Sequence, residues 1–208
     1  NNLRIALIGM SNIGKSYTAG RIASAEGFVC IDVDGRIQDE MGNPSMEKMA
    51  QWMGHPFSTG YADKSAAYLE LESRFTIDQA SEEQSQVLDT TGSVIHIPDT
   101  DLKTLKNNYL VVYIKANDAD LQILIDRYFA HPKPTIWGDK FHKIDGMSDT
   151  ESLLACYPEM LATRANLYAQ LADITIPSSA LTDPNLDDTG ILPLISAYLP
   201  TEITADKT

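Results

Sequence analysis

The sequence is poor in cysteine and in long apolar runs, and these two shortages exclude several classes of protein. Its two cysteines, Cys30 and Cys156, lie far apart without metal-ligand spacing, so we expect buried thiols in a reducing cytoplasm rather than disulfides or a cysteine-ligated metal. The longest apolar runs, such as residues 109–114, are far too short to span a bilayer. The N-terminus shows no secretory-signal pattern, and because Asn1 stands first we expect that terminus to be trimmed or altered.

Basic residues are also scarce. The chain has 16 Lys and Arg against 29 Asp and Glu, and its net charge of −13 argues against nucleic acid or an anionic membrane as a partner. An acidic chain can still bind an anionic substrate if its few cations converge on one site. A length of 208 residues, with 43% hydrophobic and 22% charged residues, is typical of a soluble globular protein, and we predict a single domain over residues 1–208.

The most informative segment that is present is residues 9–16, Gly-Met-Ser-Asn-Ile-Gly-Lys-Ser. It fits the phosphate-binding pattern G-x-x-x-x-G-K-S/T at every fixed position. It follows an apolar, strand-like run at residues 3–8 and precedes a helical pattern at residues 16–26. A glycine turn with a chance lysine is the alternative, but the strand–loop–helix context favours a nucleoside triphosphate site. Successive amides and the start of the helix would bind the phosphates.

The pattern assigns roles within this loop. Lys15 would reach the β- and γ-phosphates, and the Ser16 hydroxyl would hold Mg²⁺. The predicted nucleotide-binding residues of the segment are Gly9, Met10, Ser11, Asn12, Ile13, Gly14, Lys15, Ser16 and Tyr17.

Strand-like and helical patterns alternate along the whole chain, which is typical of a parallel α/β sheet. The predicted strands are residues 3–8, 28–32, 86–89, 109–115 and 173–176, and the later helical patterns are residues 46–53, 62–80, 101–106, 118–129 and 150–172. Asp99 and Asn117 are candidate N-caps. Pro158 should kink or split the longest helix.

Three acids follow predicted strands and are candidates for metal and acceptor binding. Asp32 and Asp34 come after the second strand and Asp89 ends the third, and ligands of open α/β sheets bind at the carboxyl ends of strands. If residues 32–34 are extended, Asp32 and Asp34 share one face. The alternatives are a solvated acidic loop or a helix N-cap for the pair, and a turn acid for Asp89.

The succession of these motifs resembles the shikimate kinases, within the nucleoside-monophosphate-kinase-like group of phosphate-loop proteins. The resemblance spans about residues 3–177 and is most specific over residues 5–42. Residues 87–94 match a strand followed by Thr-Gly-Gly-Gly in the family, and residues 110–127 match the next strand and a helix that ends in an arginine. Lys133-Pro134 matches the Arg-Pro of the family's lid. Arg164-x-x-x-Tyr168, followed by Ala172-Asp173, matches the family's Arg-x-x-x-Tyr and Ala-Asp.

This resemblance implies a five-stranded parallel sheet flanked by helices and transfer of the γ-phosphoryl group of ATP, with Mg²⁺, to a hydroxyl of a small anionic metabolite. It implies an acceptor-binding region at about residues 33–81 and a lid at about residues 130–148, and we expect a disordered tail at about residues 200–208. The implied roles are phosphate binding for Lys15, magnesium binding for Ser16, Asp32 and Asp89, acceptor activation for Asp34, acceptor binding for Gly92 and Arg164, closure over the transferring phosphate for Lys133, and adenine contact for Arg127.

The departures from the family pattern concern the acceptor. Residues 68–72 read Tyr-Leu-Glu-Leu-Glu where the family has Phe-Arg-x-x-Glu, so Leu69 replaces the arginine that grips the substrate carboxylate. The glycine-rich turn reads Thr-Gly-Ser at residues 91–93. Lys133 replaces the lid arginine with a point charge. An insertion of about ten residues precedes Tyr68.

These departures predict intact ATP handling and altered acceptor recognition. Three other interpretations stay open: a true shikimate kinase in which Lys64 from the insertion replaces the missing cation, another sugar-acid or polyol kinase, and a catalytically idle relative that binds nucleotide or metabolite. The presence of Lys15, Ser16, Asp32 and Asp34 favours an enzyme. We expect a cytoplasmic monomer or weak dimer that binds neither nucleic acid nor membrane.

Overall fold

A parallel five-stranded sheet forms the centre of the computed structural model, which describes residues 2–78 and 84–200. The strands are β1 (Arg4–Ile8), β2 (Val29–Asp32), β3 (Gln86–Asp89), β4 (Leu110–Lys115) and β5 (Ile174–Pro177), in the spatial order β2-β3-β1-β4-β5. Every neighbouring pair is parallel. The predicted sheet is confirmed, with each strand within one residue of its expected bounds.

Helices connect these strands. They are α1 (Lys15–Glu26), α2 (Val33–Glu40), α3 (Met46–Met53), α4 (Tyr61–Ile77), α5 (Asp99–Asn108), α6 (Asp118–Ala130), α7 (Asp149–Leu171), α8 (Ser178–Leu181) and α9 (Ile191–Ala197), with short 3-10 turns at Val94–His96 and Asp188–Gly190. Each helical pattern in the sequence forms a helix. The helix predicted to reach residue 80 ends at Ile77, because Asp78 takes an extended backbone.

The two predicted N-caps have different outcomes. Asn117 accepts the N–H of Asp120 while the Asp120 carboxylate accepts the N–H of Asn117, so α6 begins with a reciprocal capping box. The cap of α5 is Pro98, so the prediction for Asp99 is wrong. Asp99 is instead the first helical residue, where its charge is favourable at the positive end of the helix dipole.

Two further expectations need correction. Pro158 lies inside α7 without splitting it, because residues on both sides of the proline, including Cys156 and Met160, are buried in the core and offset the lost backbone hydrogen bond. A kink at Pro158 stays a prediction. Cys30 is exposed rather than buried, because β2 is an edge strand of the sheet. Cys156 is buried, as expected.

The carboxyl ends of β1, β2 and β3 meet at one edge of the sheet. Leu7 of β1 and Asp32 of β2 both pair in register with Asp89 of β3. The segments that follow these strands are therefore neighbours in space. This edge is where the phosphate-binding loop and the candidate acids come together.

Residues 131–148, between α6 and α7, contain neither helix nor strand. Ile136 and Trp137 within this segment are buried, so this part of it is packed against the rest of the protein. Its role as a lid over about residues 130–148 stays a prediction. Apart from Pro200, the predicted disordered tail lies outside the described residues. In the described part of the chain, no helix has both the length and the apolar character needed to cross a membrane.

Candidate active site

The phosphate-binding loop joins β1 to α1 and needs glycine at both of its ends. Gly9 has a φ of +148°, and a Cβ there would lie 2.8 Å from the carbonyl oxygen of Ile114. Gly14 has a φ of +107° and is the N-cap of α1. Asn12, with a φ of 66°, is in the left-handed region that asparagine tolerates better than most residues. The loop therefore leads directly into the N-terminus of a helix, the end that favours anions.

Lys15 lies across this loop with only 6% of its surface exposed. Its ammonium group donates hydrogen bonds to the carbonyl oxygens of Gly9, at 3.1 Å, and Met10, at 3.0 Å. Burial lowers the pKa of Lys15, and the carboxylates of Asp89 and Asp34 oppose that shift. The lysine is thus at the loop, where the sequence motif predicts it.

Ser16 and Asp89, two of the three predicted Mg²⁺ ligands, are hydrogen-bonded to each other. Burial raises the pKa of Asp89, while Lys15 and a hydrogen bond with Ser16 lower it. The Oδ1 atom of Asp89 is buried and has no hydrogen-bond partner among the described residues. A hydroxyl beside a carboxylate with an unused oxygen fits Mg²⁺, which commonly binds one or two protein oxygens together with phosphates and water. Within residues 2–78 and 84–200, no cluster of three or more His, Cys, Asp or Glu side chains could hold a metal.

The two acids after β2 occupy different environments, and the prediction that they share a face of an extended segment is wrong. Asp32 ends β2, is exposed and caps α2 by accepting the N–H of Gly35 at 3.0 Å. Because this cap starts a helix at Val33, strand alternation stops there. Asp34 is in the first turn of α2, is partly buried and accepts a hydrogen bond from the Tyr68 hydroxyl at 3.3 Å.

Asp34 stands between two cavities. The phosphate cavity, with a volume of about 200 Å³, is lined by Ser11, Asn12, Gly14, Lys15, Ser16, Tyr17, Asp34, Asp89, Thr90, Arg127 and Lys133. An adjoining cavity, which we call the acceptor cavity because it contains the predicted acceptor residues, is lined by Ser11, Asp34, Met46, Tyr68, Thr91, Gly92, Ser93, Lys133, Pro134 and Arg164. Three residues, Ser11, Asp34 and Lys133, line both. Burial raises the pKa of Asp34, and Lys133 and Lys15 oppose the shift.

Arg164 and Gly92 meet in the wall of the acceptor cavity. The buried guanidinium of Arg164 donates to the carbonyl oxygens of Gly92, at 3.1 Å, and Ile136, at 2.6 Å, and its Nε has no partner among the described residues. The hydroxyl of Tyr168 also donates to the carbonyl of Gly92. A Cβ on Gly92 would lie 2.5 Å from the Ser11 hydroxyl oxygen and 3.0 Å from the Ser11 backbone nitrogen, so a larger residue here would press on the phosphate-binding loop. The arginine therefore joins two chain segments in addition to facing the cavity.

A comparison of the chain with protein families agrees with this architecture. A family model described as shikimate kinase matches residues 11–189. The chain belongs to the shikimate kinase family. This membership supports a small-molecule kinase and confirms the resemblance drawn from the motifs.

Solved structures show the same fold. The shikimate kinase of Acinetobacter baumannii, in complex with shikimate, is 18% identical, with a TM-score of 0.62 and coverage of 95% of this chain and 94% of that one. The shikimate kinase of Bacteroides thetaiotaomicron is 18% identical, with a TM-score of 0.63 and coverage of 94% and 97%. A sugar kinase from Janibacter sp. HTCC2649 is 13% identical, with a TM-score of 0.50 and coverage of 95% and 94%. A search of curated proteins gives no match.

Some of the residues predicted to contact the nucleotide line the phosphate cavity, and others, namely Gly9, Met10 and Ile13, do not. Tyr17, which is 61% exposed, and Arg127, also exposed, line the phosphate cavity, so both can reach a bound nucleotide. Ile13 is buried in the core, and the carbonyl groups of Gly9 and Met10 face Lys15. The contact of Arg127 with adenine stays a prediction.

Glu72 is a site residue whose role the sequence reasoning missed. It is fully buried, and its carboxylate accepts hydrogen bonds from the hydroxyls of Thr91 and, at 2.6 Å, Ser93. Burial raises its pKa to about 7, although the two hydroxyls lower it. The sequence contained a signal for this role, because Glu72 matches the glutamate of the family's Phe-Arg-x-x-Glu motif and hydroxyl residues at positions 91 and 93 replace two glycines of the family's turn. Glu72 thus ties α4 to the turn at residues 91–93.

Leu69, at the position of the family's arginine, does not line the acceptor cavity. It lines a separate, largely apolar depression beside Ala66, Ile77 and Pro98. Lys64 is one helical turn before Tyr68 on α4, and it lines neither the phosphate cavity nor the acceptor cavity. Among the described residues, Arg164 and Lys133 are therefore the only cationic side chains that line the acceptor cavity.

Proposed function

We propose that this protein transfers the γ-phosphoryl group of ATP to a hydroxyl group of a small, polar, anionic metabolite. The observation that supports this reaction best is the shared wall of the two cavities. Ser11, Asp34 and Lys133 line both the phosphate cavity and the acceptor cavity, so a bound acceptor and the end of a nucleotide would meet there. Transfer of a phosphoryl group depends mainly on such positioning and on charge neutralisation.

The phosphate-binding loop would bind the phosphates of the nucleotide. Lys15 would exchange its contacts with the carbonyls of Gly9 and Met10 for contacts with the β- and γ-phosphates, and the loop amides would hold their oxygens. Arg127 and Tyr17 border this cavity and would contact the rest of the nucleotide.

Ser16 and Asp89 would hold Mg²⁺, with Asp32 of the neighbouring strand as a further contact. The ion would supply neutralisation of the phosphate charge. The buried oxygen of Asp89 without a partner is the feature of this chain that fits the ion.

Asp34 would orient the acceptor hydroxyl and accept its proton. The hydroxyl oxygen would form the bond to the γ-phosphorus, the bond from that phosphorus to the bridging oxygen would break, and ADP would leave with the electron pair. The proton would move to a carboxylate oxygen of Asp34, whose raised pKa makes it a better base than an exposed aspartate. Lys133 would neutralise charge on the transferring group.

Arg164 would bind an anionic group of the acceptor, since its Nε is buried at the cavity without a partner. A solved relative from Acinetobacter baumannii is in complex with shikimate, which makes shikimate the first acceptor to test. Because Leu69 replaces the family's arginine and lines a separate depression, we propose that the acceptor site differs from that of the family and that shikimate binds poorly. The lid, the cytoplasmic location and the monomeric or weakly dimeric state also stay predictions.

An ATP-turnover assay tests this function. The acceptors are shikimate, other cyclic and linear hydroxy acids, and their neutral polyol counterparts. Turnover that depends on one acceptor and is lost in Lys15→Ala supports the proposal. Tight ATP binding by calorimetry without turnover on any acceptor would support the catalytically idle alternative instead.

A further inference from the structure

Three consecutive residues of the irregular segment between α6 and α7 are hydrogen-bonded to helices elsewhere in the fold. The Tyr61 hydroxyl, at the start of α4, donates to the carbonyl of Thr135 at 2.9 Å and accepts the N–H of Trp137 at 2.9 Å. Between them, the carbonyl of Ile136 accepts from Arg164 of α7 at 2.6 Å. We call residues 135–137 the lid root, because they hold the segment that carries Lys133.

The contacts of the Tyr61 hydroxyl are sheltered from water. Tyr61 is 9% exposed and Trp137 is 1% exposed. Burial raises the pKa of Tyr61 to about 12, so its hydroxyl keeps the proton that it donates. The Trp137 ring also packs against Phe141 and Tyr157, at centroid distances of 6.3 and 5.7 Å. Removing the hydroxyl would take away two hydrogen bonds, one to the partly buried carbonyl of Thr135 and one from the buried N–H of Trp137.

Tyr61 is on the same side of α4 as the residues that border the acceptor. Tyr68 follows it after seven residues, or about two helical turns, and Glu72 after eleven, spacings that repeat along one helix face. Tyr68 lines the acceptor cavity, and Glu72 bonds to the turn at residues 91–93. One rigid helix therefore carries contacts to the acceptor cavity and to the lid root.

Lys133 lies next to the lid root in the chain, so the contact between Tyr61 and the lid root can influence the two cavities through Lys133. It precedes the lid root by two residues, and its carbonyl accepts a hydrogen bond from the Thr135 hydroxyl at 3.0 Å. Its side chain lines both the phosphate cavity and the acceptor cavity. A shift of the lid root would move this cation relative to both cavities.

We propose that Tyr61 is a positioning residue whose hydroxyl clamps the lid root to α4 and thereby sets the place of Lys133 over the reacting groups. This inference rests on the proposed function, because it assigns Lys133 to the transferring phosphate. Tyr61 itself does not line either cavity and is not a catalytic residue.

The test compares Tyr61→Phe with Tyr109→Phe. Tyr109 is also buried, and its hydroxyl donates to the Gln86 side chain at 3.1 Å, at the amino end of β4 and far along the strands from the site. Each variant loses one buried hydroxyl. We expect kcat to fall about tenfold or more in Tyr61→Phe, because the two hydrogen bonds that hold the lid root are lost, and to stay unchanged in Tyr109→Phe.

A double-mutant cycle with Lys133→Ala separates positioning from general loss of stability. If Tyr61 acts through Lys133, Tyr61→Phe should have little further effect on kcat once Lys133 is removed. Equal fold-losses in both backgrounds would overturn the inference.

A second measurement is independent of turnover. Acrylamide quenching of tryptophan fluorescence should increase in Tyr61→Phe, because Trp137 becomes accessible, and should not increase in Tyr109→Phe. Trp52 is present in every variant and contributes the same background. Unchanged quenching in Tyr61→Phe would overturn the clamp. If no acceptor supports turnover in the unaltered protein, the proposed function fails, and quenching alone decides whether the clamp exists.

Discussion

Replacing the carboxylate of Asp34 by an amide tests the proposed chemistry most directly. Asp34→Asn keeps the size of the side chain and its acceptor oxygen for the Tyr68 hydroxyl, which lies 3.3 Å away. It removes the negative charge that would take the proton of the acceptor. The side chain lines both cavities, so the lost charge is at the place where the two substrates meet.

The expected effect on rate is large and the effect on stability is small. A positioned general base contributes about 10²- to 10⁴-fold, which corresponds to about 2.7–5.4 kcal/mol in the activation barrier. We expect kcat to fall at least about 10²-fold. Burial raises the pKa of Asp34 above its ordinary value of 3.8, so its stability contribution is present at lower pH and is lost as pH rises through the raised pKa. At neutral pH the ionised group therefore costs stability, and Asp34→Asn should unfold at the same or a higher temperature.

Steady-state kinetics across pH and thermal unfolding measure these two effects. The wild-type rate should fall on the acid side as Asp34 is protonated, and this limb should be absent in Asp34→Asn. Asp32→Asn is the matched control, because asparagine caps a helix as well as aspartate and α2 should be preserved. If Asp32 contacts the metal, its variant should need more Mg²⁺ but approach the wild-type kcat at saturation.

Two results would refute this reasoning. An Asp34→Asn variant that keeps more than about a tenth of the wild-type kcat, with the acid limb unchanged, is incompatible with a general base. If Asp32→Asn and Asp34→Asn respond alike in a magnesium titration, the division between a metal contact and an acceptor contact is wrong.

Three further predictions concern the loop, the buried acid and the acceptor. Lys15→Ala should fold normally and lose most phosphoryl transfer, because a buried contact to the phosphates is removed; wild-type ATP affinity by calorimetry together with wild-type turnover would contradict this. The free energy of unfolding should fall by about 3 kcal/mol as pH rises from about 4.5 to above 7, because the pKa of buried Glu72 is raised to about 7. Denaturation curves of Glu72→Gln should lack this slope, and an identical slope would exclude Glu72 as its source. Shikimate should be a poor substrate, since an arginine–carboxylate contact is worth about 1.5–3 kcal/mol and Leu69 supplies none. That inference is mistaken if the wild type has a micromolar KM for shikimate and Leu69→Arg does not improve shikimate turnover. In that case, a loss of shikimate turnover in Lys64→Ala would identify Lys64 as the replacing cation.

The sequence predicted the parts of the site that depend on short segments. The glycine positions of the loop, with Lys15 and Ser16 after them, follow from one motif of eight residues, and the structure has the loop between β1 and α1. Apolar runs with turn residues between them predicted every strand within one residue. Such features depend on local backbone preferences and on the period of apolar residues, which a single sequence displays.

The errors occurred where two local preferences compete. Asp32 and Asp34 looked like alternate residues of a strand, but the capping of Gly35 by Asp32 starts a helix between them. Pro158 was expected to kink or split α7, and the helix is not split because the residues around the proline are buried in the core. In each case a contact with a neighbouring element or a cap outweighed the simpler pattern.

By itself, the sequence determined that this chain forms a parallel α/β fold with a phosphate-binding loop at the carboxyl end of its first strand. Only the tertiary structure decided which distant side chains line the acceptor cavity, which support its walls and which face elsewhere. Glu72 meets Thr91 and Ser93, Arg164 reaches Gly92 and Ile136, and Leu69 turns to another face of α4. These contacts join residues far apart in the chain, so they depend on how whole helices pack against the sheet. No local pattern encodes that packing, and it determines the shape and the charge of the site.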